Sequence, residues 1–500
     1  MLVATPWSNA GKKSGRGYDE TIYAIAARCY HLWGDVIQAR EVLETLIHHG
    51  TSHDAEHRKL LGYTYLRLDE LEPAGKLLNQ AVSERPTDVE ARLMLSGVFS
   101  ARGQFGEAVA HAHAAVRVAP ANHQAHAAFL GAVLTLPGDF KPSAELAAAH
   151  QETFDFLVQH PSHIVQTVPV DDDFKHMTNM LRERRKHVER VQKVYSESNV
   201  PFGFFAQQIG VPLYQAWASR MGSRDLPLKM AFGSHEEQNA EVVNAAAAQS
   251  VSVDLLGLFT LQRLGHLELL PALYPRIVTH ITLLETIVAG IRGLRFEHAG
   301  GQISYDRGRI VMTPDDPARR AKEAAALTEI RNFLRSPHVT FVGLSPDACE
   351  GEKMEAIRDG AGPAVIVPIF ISEEQKAALF SDDAAVRGLA KHIAEIPGFC
   401  TQALLRVAKQ RELLSAEQYN NAVLRLFEWR YTFVSDDVGV LQRAYTMAEG
   451  KITPQIEDLI RRPERGECDI ESALSILAAF LAFVWTANPR ACHALLSAVL

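Results

Sequence analysis

The 500-residue sequence predicts an α-helical repeat stack, then an α/β domain with a central parallel sheet, then a helical C-terminal tail. Two observations carry this reading. Small residues recur with a fixed period in the first third, and short apolar runs ending in acids alternate with helical stretches in the second half. A composition of 47% hydrophobic and 22% charged residues suits two to four soluble globular units. Five widely spaced cysteines without a C-x-x-C pair argue against a disulfide framework or a structural zinc, so a cytoplasmic location is expected. The N-terminal MLVATPWSNAGKKSGRG lacks the apolar core of a secretory signal. Ala473 to Ala487, the longest apolar run, falls short of the about 20 residues that span a bilayer, so no membrane insertion is expected.

Residues 1–17 show no periodicity and read as a flexible N-terminus. Ala74, Ala81 and Pro86 recur 34 residues later as Ala108, Ala115 and Pro120, and Gly62 and Tyr65 are answered by Ser96 and Phe99. Small residues where paired helices touch, with a proline closing the second helix, resemble the tetratricopeptide repeat, or TPR. An upstream copy at Trp33-Gly34-Asp35 and Ala39 is offset by one residue, and a downstream copy holds Phe129, Gly131 and a second helix from Pro142 to about Gln159. Three to four hairpins over residues 18–160 are expected, because fewer than three leave too much of the stacked core exposed. The resemblance implies a groove that docks a protein or peptide; the plainer reading is a spacer. The pairs His53/His57 and His111/His113 have no third ligand nearby and read as ordinary repeat-surface histidines.

Residues 161–248 read as a bridge. Its basic stretch Arg182, Arg184, Arg185, Lys186, Arg190 and Lys193 is either a local groove for an anionic partner or a solvated helix face with i,i+4 charge pairs. A net charge of −8 speaks against broad coating of nucleic acid. Phe204 to Arg220 reads as helical, Pro227 to Phe232 as a strand, and Glu236 to Ala248 as a helix, which together would open an α/β unit.

Four acids follow in telling positions. Asp254 closes the apolar run Val251-Ser252-Val253, Glu285 opens a helix after the short strand Ile277-Val278-Thr279, and Asp382 and Asp383 follow Ala377-Ala378-Leu379-Phe380. Acids at the ends of parallel strands converge on the crevice above the sheet. Several carboxylates there make a site for a hard divalent cation, which serves phosphodiester hydrolysis by acidifying water and neutralising phosphate charge. The same residues also suit helix N-caps and surface positions.

The run VDLLGLFTLQRLGHLELLPALYPRIVTHITLLETI and the later ALFSDDAAVRGLA resemble the opening and the terminal strand of a PIN domain, the metal-dependent ribonuclease fold with a four-acid site. The chain is most similar to PIN domains attached to TPRs in predicted bacterial conflict systems, and the likeness extends to the bridge and the tail. Some members carry a GreA/GreB-type domain, which no segment here resembles. The likeness implies a PIN-like domain over 249–399, a helical extension over 400–500, and Mg²⁺ or Mn²⁺ held by Asp254, Glu285 and Asp383, with Asp382 beside them. Glu355 or Asp359 would supply the third acid, Ser381 would orient the last carboxylate and lie near phosphate, and Arg387 would contact phosphate. It further implies an RNA substrate and, since such domains often dimerise, a homodimer. The alternative is a non-catalytic scaffold with a degenerate PIN-like docking domain.

A second Ser-Asp-Asp triplet, Ser435-Asp436-Asp437, is expected to cap a C-terminal helix, and the segment RFEHAGGQISYDRGRIVMTPDDP reads as a hairpin insert. No G-x-G-x-x-G, G-K-[ST] or H-E-x-x-H is present, which leaves nucleotide-driven and zinc-protease chemistry without support.

Overall fold

The computed structural model describes residues 20–49, 54–136, 140, 142–160, 175–221, 226–231, 234–295, 301–306, 309–314, 316–345, 360, 362–432, 434, 437–462, 470–490 and 492–493. The chain forms two compact units. One comprises Met1–Glu183, Ile291–Ala324 and Phe341–Gly343; the other comprises Arg184–Gly290, Ala325–Thr340 and Leu344–Leu500.

In the first unit, described helices pair as Glu20–Leu32 with Val36–His49, Ala55–Arg67 with Leu71–Glu84, Val89–Ala101 with Phe105–Val118, and His123–Leu134 with Ala144–Gln159. The repeat period has a local cause. Asp54, Asp88 and Asn122, each 34 residues apart, sit at the N-cap of the first helix of a hairpin, and their side chains accept the N–H of Glu56, Ala91 and Ala125. Such a cap is worth about 1 kcal/mol. Gly34, Asp69 and Gly103 take left-handed conformations, with φ of 72°, 56° and 74°, at the turn inside a hairpin.

Ala74, Ala81, Ala108 and Ala115 are buried, and Leu78, Leu95 and Val98 fill the space between successive helices. Gly62 allows one close approach: a Cβ there would lie 2.8 Å from Leu78 Cγ. The His111 ring stacks on Phe99 and the His113 ring on Phe129, each at 5.2 Å, so both histidines pack within the repeats. His53 lies outside the described residues. The expected hairpin forms from Gly301–Asp306 and Arg309–Pro314, paired antiparallel. Within this unit Arg182 stacks on the Tyr305 ring at 5.4 Å. Further along the same basic helix, Lys175–Glu197, Arg185 pairs with Glu189 and Lys193 with Glu197 at i,i+4, the pattern of a solvated face.

The second unit is built on a sheet of strands β1 (Ser250–Val253), β2 (Arg276–Thr279), β3 (Val339–Phe341), β4 (Ala378–Phe380) and β5 (Gly398–Phe399), in the spatial order β3-β2-β1-β4-β5. The pairs β1·β2, β1·β4 and β4·β5 are parallel. Val251, Val253, Ile277, Val278, Leu379, Phe380 and Phe399 are all buried, which is why these strands read as short continuous apolar runs. Ser252, the polar exception inside β1, gives its hydroxyl proton to the Pro368 carbonyl at 3.0 Å. Helix Leu255–Leu264 packs so closely on β4 that a Cβ on Gly257 would lie 2.6 Å from Phe380 Cε1.

The strand expected over Pro227 to Phe232 is shorter and lies elsewhere. Leu228–Lys229 pairs in parallel with Tyr431–Thr432 in a separate two-stranded sheet. Trp217 anchors that pairing by donating its indole N–H to the Tyr431 hydroxyl at 2.9 Å. The tail continues as helices Thr401–Gln410, Ala416–Glu428, Val438–Met447, Pro454–Ile460 and Ile470–Ala487. Asp437, from the second acidic triplet, caps Val438–Met447 by accepting the Val440 N–H at 3.1 Å; Ser435 and Asp436 lie outside the described residues. Among the described residues, no helix is long and apolar enough to cross a membrane.

Candidate active site

The chain leaves β1 toward β2 on one side, while β4 flanks β1 on the other, so the strand order reverses between β1 and β4. Loops leaving the two strands there diverge and open a crevice at their C-terminal ends. Val253 and Phe380 are register partners, and the Asp254 N–H reaches the Phe380 carbonyl at 3.0 Å. This places Asp254 beside Ser381-Asp382-Asp383, from a segment 127 residues later in the chain.

Asp254 occupies the N-cap of helix Leu255–Leu264, yet its side chain makes no capping hydrogen bond. Instead Ser381 Oγ donates to Asp254 Oδ2 at 2.8 Å, while Oδ1 is buried without a hydrogen-bond partner. The carboxyl is 1% exposed, and its pKa is pushed up to about 7, by burial first, with the Asp383 and Asp382 charges adding to the rise. The Ser381 hydrogen bond and a looser approach of the Leu255 N–H oppose it. A buried carboxyl with one oxygen unsatisfied costs stability, and such costs concentrate at functional sites.

Asp383 is the N-cap of helix Ala384–Ala394. Its Oδ1 accepts the Ala385 N–H at 3.0 Å and its Oδ2 the Phe202 N–H at 2.5 Å. Burial raises its pKa to about 6 against those hydrogen bonds. Asp382 is fully buried, and both its oxygens are taken by Thr401: Oδ1 by the N–H at 2.7 Å and Oδ2 by the hydroxyl at 2.8 Å. Burial raises its pKa as well. Asp382 thus ties β4 to the start of helix Thr401–Gln410, where Cys400 at the N-cap supplies no side-chain acceptor.

Arg387 departs from the expected phosphate contact. Its guanidinium is 3% exposed and already engaged. Nε and Nη2 donate to Glu241 Oε1 at 3.0 and 2.7 Å, Nη1 to the Ser381 carbonyl at 2.7 Å, and Nη2 also to the Met230 carbonyl. It therefore braces the loop after β4 from behind. Ser381 is also buried. It orients the first carboxylate, Asp254, where the sequence pointed to the last, and its Oγ accepts the Asp383 N–H at 3.2 Å.

Glu285 lies in the second turn of helix Ile281–Arg295, after β2, and is half-buried. Glu355 and Asp359 lie outside the described residues. Among the described residues, no group of three or more His, Cys, Asp or Glu is placed to hold a metal ion. The donors nonetheless suit a hard cation at one point: Asp254 Oδ1 is an orphaned carboxylate oxygen next to a second acid, Asp383. At Asp382 they do not, since Thr401 occupies both oxygens.

Thr401, Glu241 and the Phe202 amide were missed in the sequence. Glu241 falls in a helix of unremarkable polarity, 146 residues before Arg387, and only tertiary contact reveals it as a buried counter-charge.

A family model described as "PIN domain associated with the TPR-GreAB-C-PIN system" matches residues 253–392. Residues 253–392 form a PIN-domain region. The match begins at the last residue of β1 and takes in Asp254, Glu285, Ser381, Asp382, Asp383 and Arg387. No curated protein matches the chain. Solved structures similar to it include MamA, 17% identical over 30% of this chain and 81% of that one. Another is YrrB, a TPR protein with an unusual peptide-binding site, 18% identical over 28% of this chain and 71% of its own. A Thermobaculum terrenum O-GlcNAc transferase mutant is 14% identical over 96% of this chain and 100% of its own. All three have a TM-score of 0.25, too low to bear on how this chain is arranged.

Proposed function

We propose that the PIN region is a Mg²⁺- or Mn²⁺-dependent endoribonuclease presented by a TPR-like protein-docking module, in a bacterial conflict or stress setting. The observation that carries this reading is Asp254, which forgoes the cap its position offers and keeps one buried oxygen unpartnered beside Asp383. A bound divalent ion would supply an acidified water and neutralise charge on the phosphate.

Asp254 would hold the ion through Oδ1, and Ser381 fixes that geometry by occupying Oδ2. Asp383 is the neighbouring ligand in this reading, its oxygens now turned to the Phe202 and Ala385 amides. Glu285 and one of Glu355 or Asp359 complete the acidic set. Asp382, through Thr401, and Arg387, through Glu241, hold the loop after β4 in place.

The test is cleavage of end-labelled single-stranded and hairpin RNAs by the full chain in Mn²⁺, with EDTA and Asp254→Asn as controls. The reading expects cleavage that both controls remove.

One observation favours a second reading, a non-catalytic docking module. Every carboxylate oxygen of Asp382 and Asp383 is hydrogen-bonded within a core at most 2% exposed. A folded chain that leaves every RNA intact in either metal would select it.

A further inference from the structure

The carboxyls of the crevice are shut away from solvent: Asp254 is 1% exposed, Asp383 2%, and Ser381 and Asp382 are fully buried. A phosphodiester cannot reach them in this arrangement. Helix Phe202–Gln208 closes the crevice on the Asp383 side. Its first N–H, from Phe202, donates to Asp383 Oδ2 at 2.5 Å, on an oxygen that a cation shared with Asp254 would need. Phe202 and Phe205 are buried, and their rings pack on Tyr195 at 5.6 and 5.9 Å.

We propose that Phe202–Gln208 is a movable plug, which holds the acidic crevice shut and swings out before a cation and RNA enter. The plug's purpose rests on the nuclease reading, while its motion rests on the fold. The chain bends on both sides of it, at Pro201, the N-cap residue with ψ of 146°, and at Gly210, which takes a left-handed conformation with φ of 65°. Ahead of Pro201 the chain is pinned, because Lys229 Nζ donates to the carbonyls of Tyr195, Ser196 and Ser198 at 3.3, 3.3 and 2.7 Å. The swing therefore starts between Ser198 and Phe202.

Contacts at the far end of the plug act as latches. Gln207 and Gln208 are exposed there, and His187 Nε2 donates to the Gln208 carbonyl at 2.8 Å. Gly362, with φ of 86°, lies so close that a Cβ on it would fall 2.8 Å from Gln207 Oε1. The aromatic packing on Tyr195 favours the closed state, so the open state is a minor population and the apparent affinity of any ligand falls by that fraction. A permanent cover would leave the unpartnered Asp254 Oδ1 as a destabilising feature without a use.

Two measurements on the full chain, neither of which uses metal or RNA, test this. In hydrogen exchange of the parent, the amides of Phe202–Gln208 are expected to exchange well ahead of those in helix Leu255–Leu264 of the same unit. In carbodiimide coupling of an amine to carboxyls, read by mass spectrometry, Asp254 and Asp383 are expected to label slowly in the parent. His187→Ala removes one latch, so both are expected to label about fivefold faster in it, with circular dichroism unchanged. Amides of Phe202–Gln208 as protected as those of Leu255–Leu264, or labelling in the variant no faster than in the parent, overturns the proposal. Faster labelling in a variant that neither binds Mn²⁺ nor cleaves RNA supports the plug and counts against the nuclease reading alone.

Discussion

Ser381 and Asp254, 127 residues apart, are joined by a 2.8 Å hydrogen bond that links the C-terminal ends of two adjacent parallel strands. The bond takes one Asp254 oxygen and leaves the other without a partner, and this asymmetry distinguishes Asp254 from an ordinary helix cap. Ser381→Ala removes the donor and strands a second buried oxygen. A loss of about 1–3 kcal/mol is expected, read from urea unfolding, with activity falling as well.

Asp254 gives the chain a specific pH dependence. Its folded pKa, raised to about 7, exceeds the ordinary carboxyl value, so the native state keeps a proton that the unfolded chain releases. Stability from this group is full below about pH 4, declines as pH rises toward 7 and levels off above it. Asp254→Asn removes that titration. The variant is expected to be more stable than the parent at pH 7.5, by on the order of 2 kcal/mol, with a flatter melting profile between pH 5 and about 7.5. A variant less stable than the parent at pH 7.5 would count against a strained, functional carboxyl.

Arg387 separates a structural from a substrate-binding role. Breaking its buried pair with Glu241 through Arg387→Met leaves an uncompensated carboxylate, at about 3–5 kcal/mol, and Glu241→Met in the same chain recovers part of that. Were Arg387 a phosphate ligand, the single variant would melt like the parent and only RNA affinity would drop.

Gly257 tests the packing of the helix after Asp254. Gly257→Ala drives a methyl into the Phe380 ring of β4, so a loss of about 1–3 kcal/mol is expected despite alanine's better helix propensity. Thermal denaturation of the two proteins settles the sign.

What the sequence disclosed follows from how local each feature is. The 34-residue recurrence of Ala74 and Ala108 was readable because each hairpin repeats the same contacts with its neighbours. The runs ending in Asp254 and Ser381 were readable because buried parallel strands are apolar throughout. Roles set by distant partners were not. Asp382 next to Asp383 looks like a second ligand until Thr401 is seen on its oxygens, and Arg387 behind three polar residues looks like a phosphate contact until Glu241 is seen beneath it. Leu228 pairs with Tyr431, a partner beyond the reach of local periodicity, so the sequence offers a strand there without showing which strand it joins.

The central claim is that Asp254 is a cation ligand, and isothermal titration of Mn²⁺ into the full chain at about pH 6.5, where the Asp254 carboxyl is still largely protonated, tests it most directly. The expected result is saturable binding, accompanied by proton release as the raised Asp254 carboxyl ionises, with both signals lost in Asp254→Asn. Saturable binding of equal strength in the variant, or none in the parent, would contradict it.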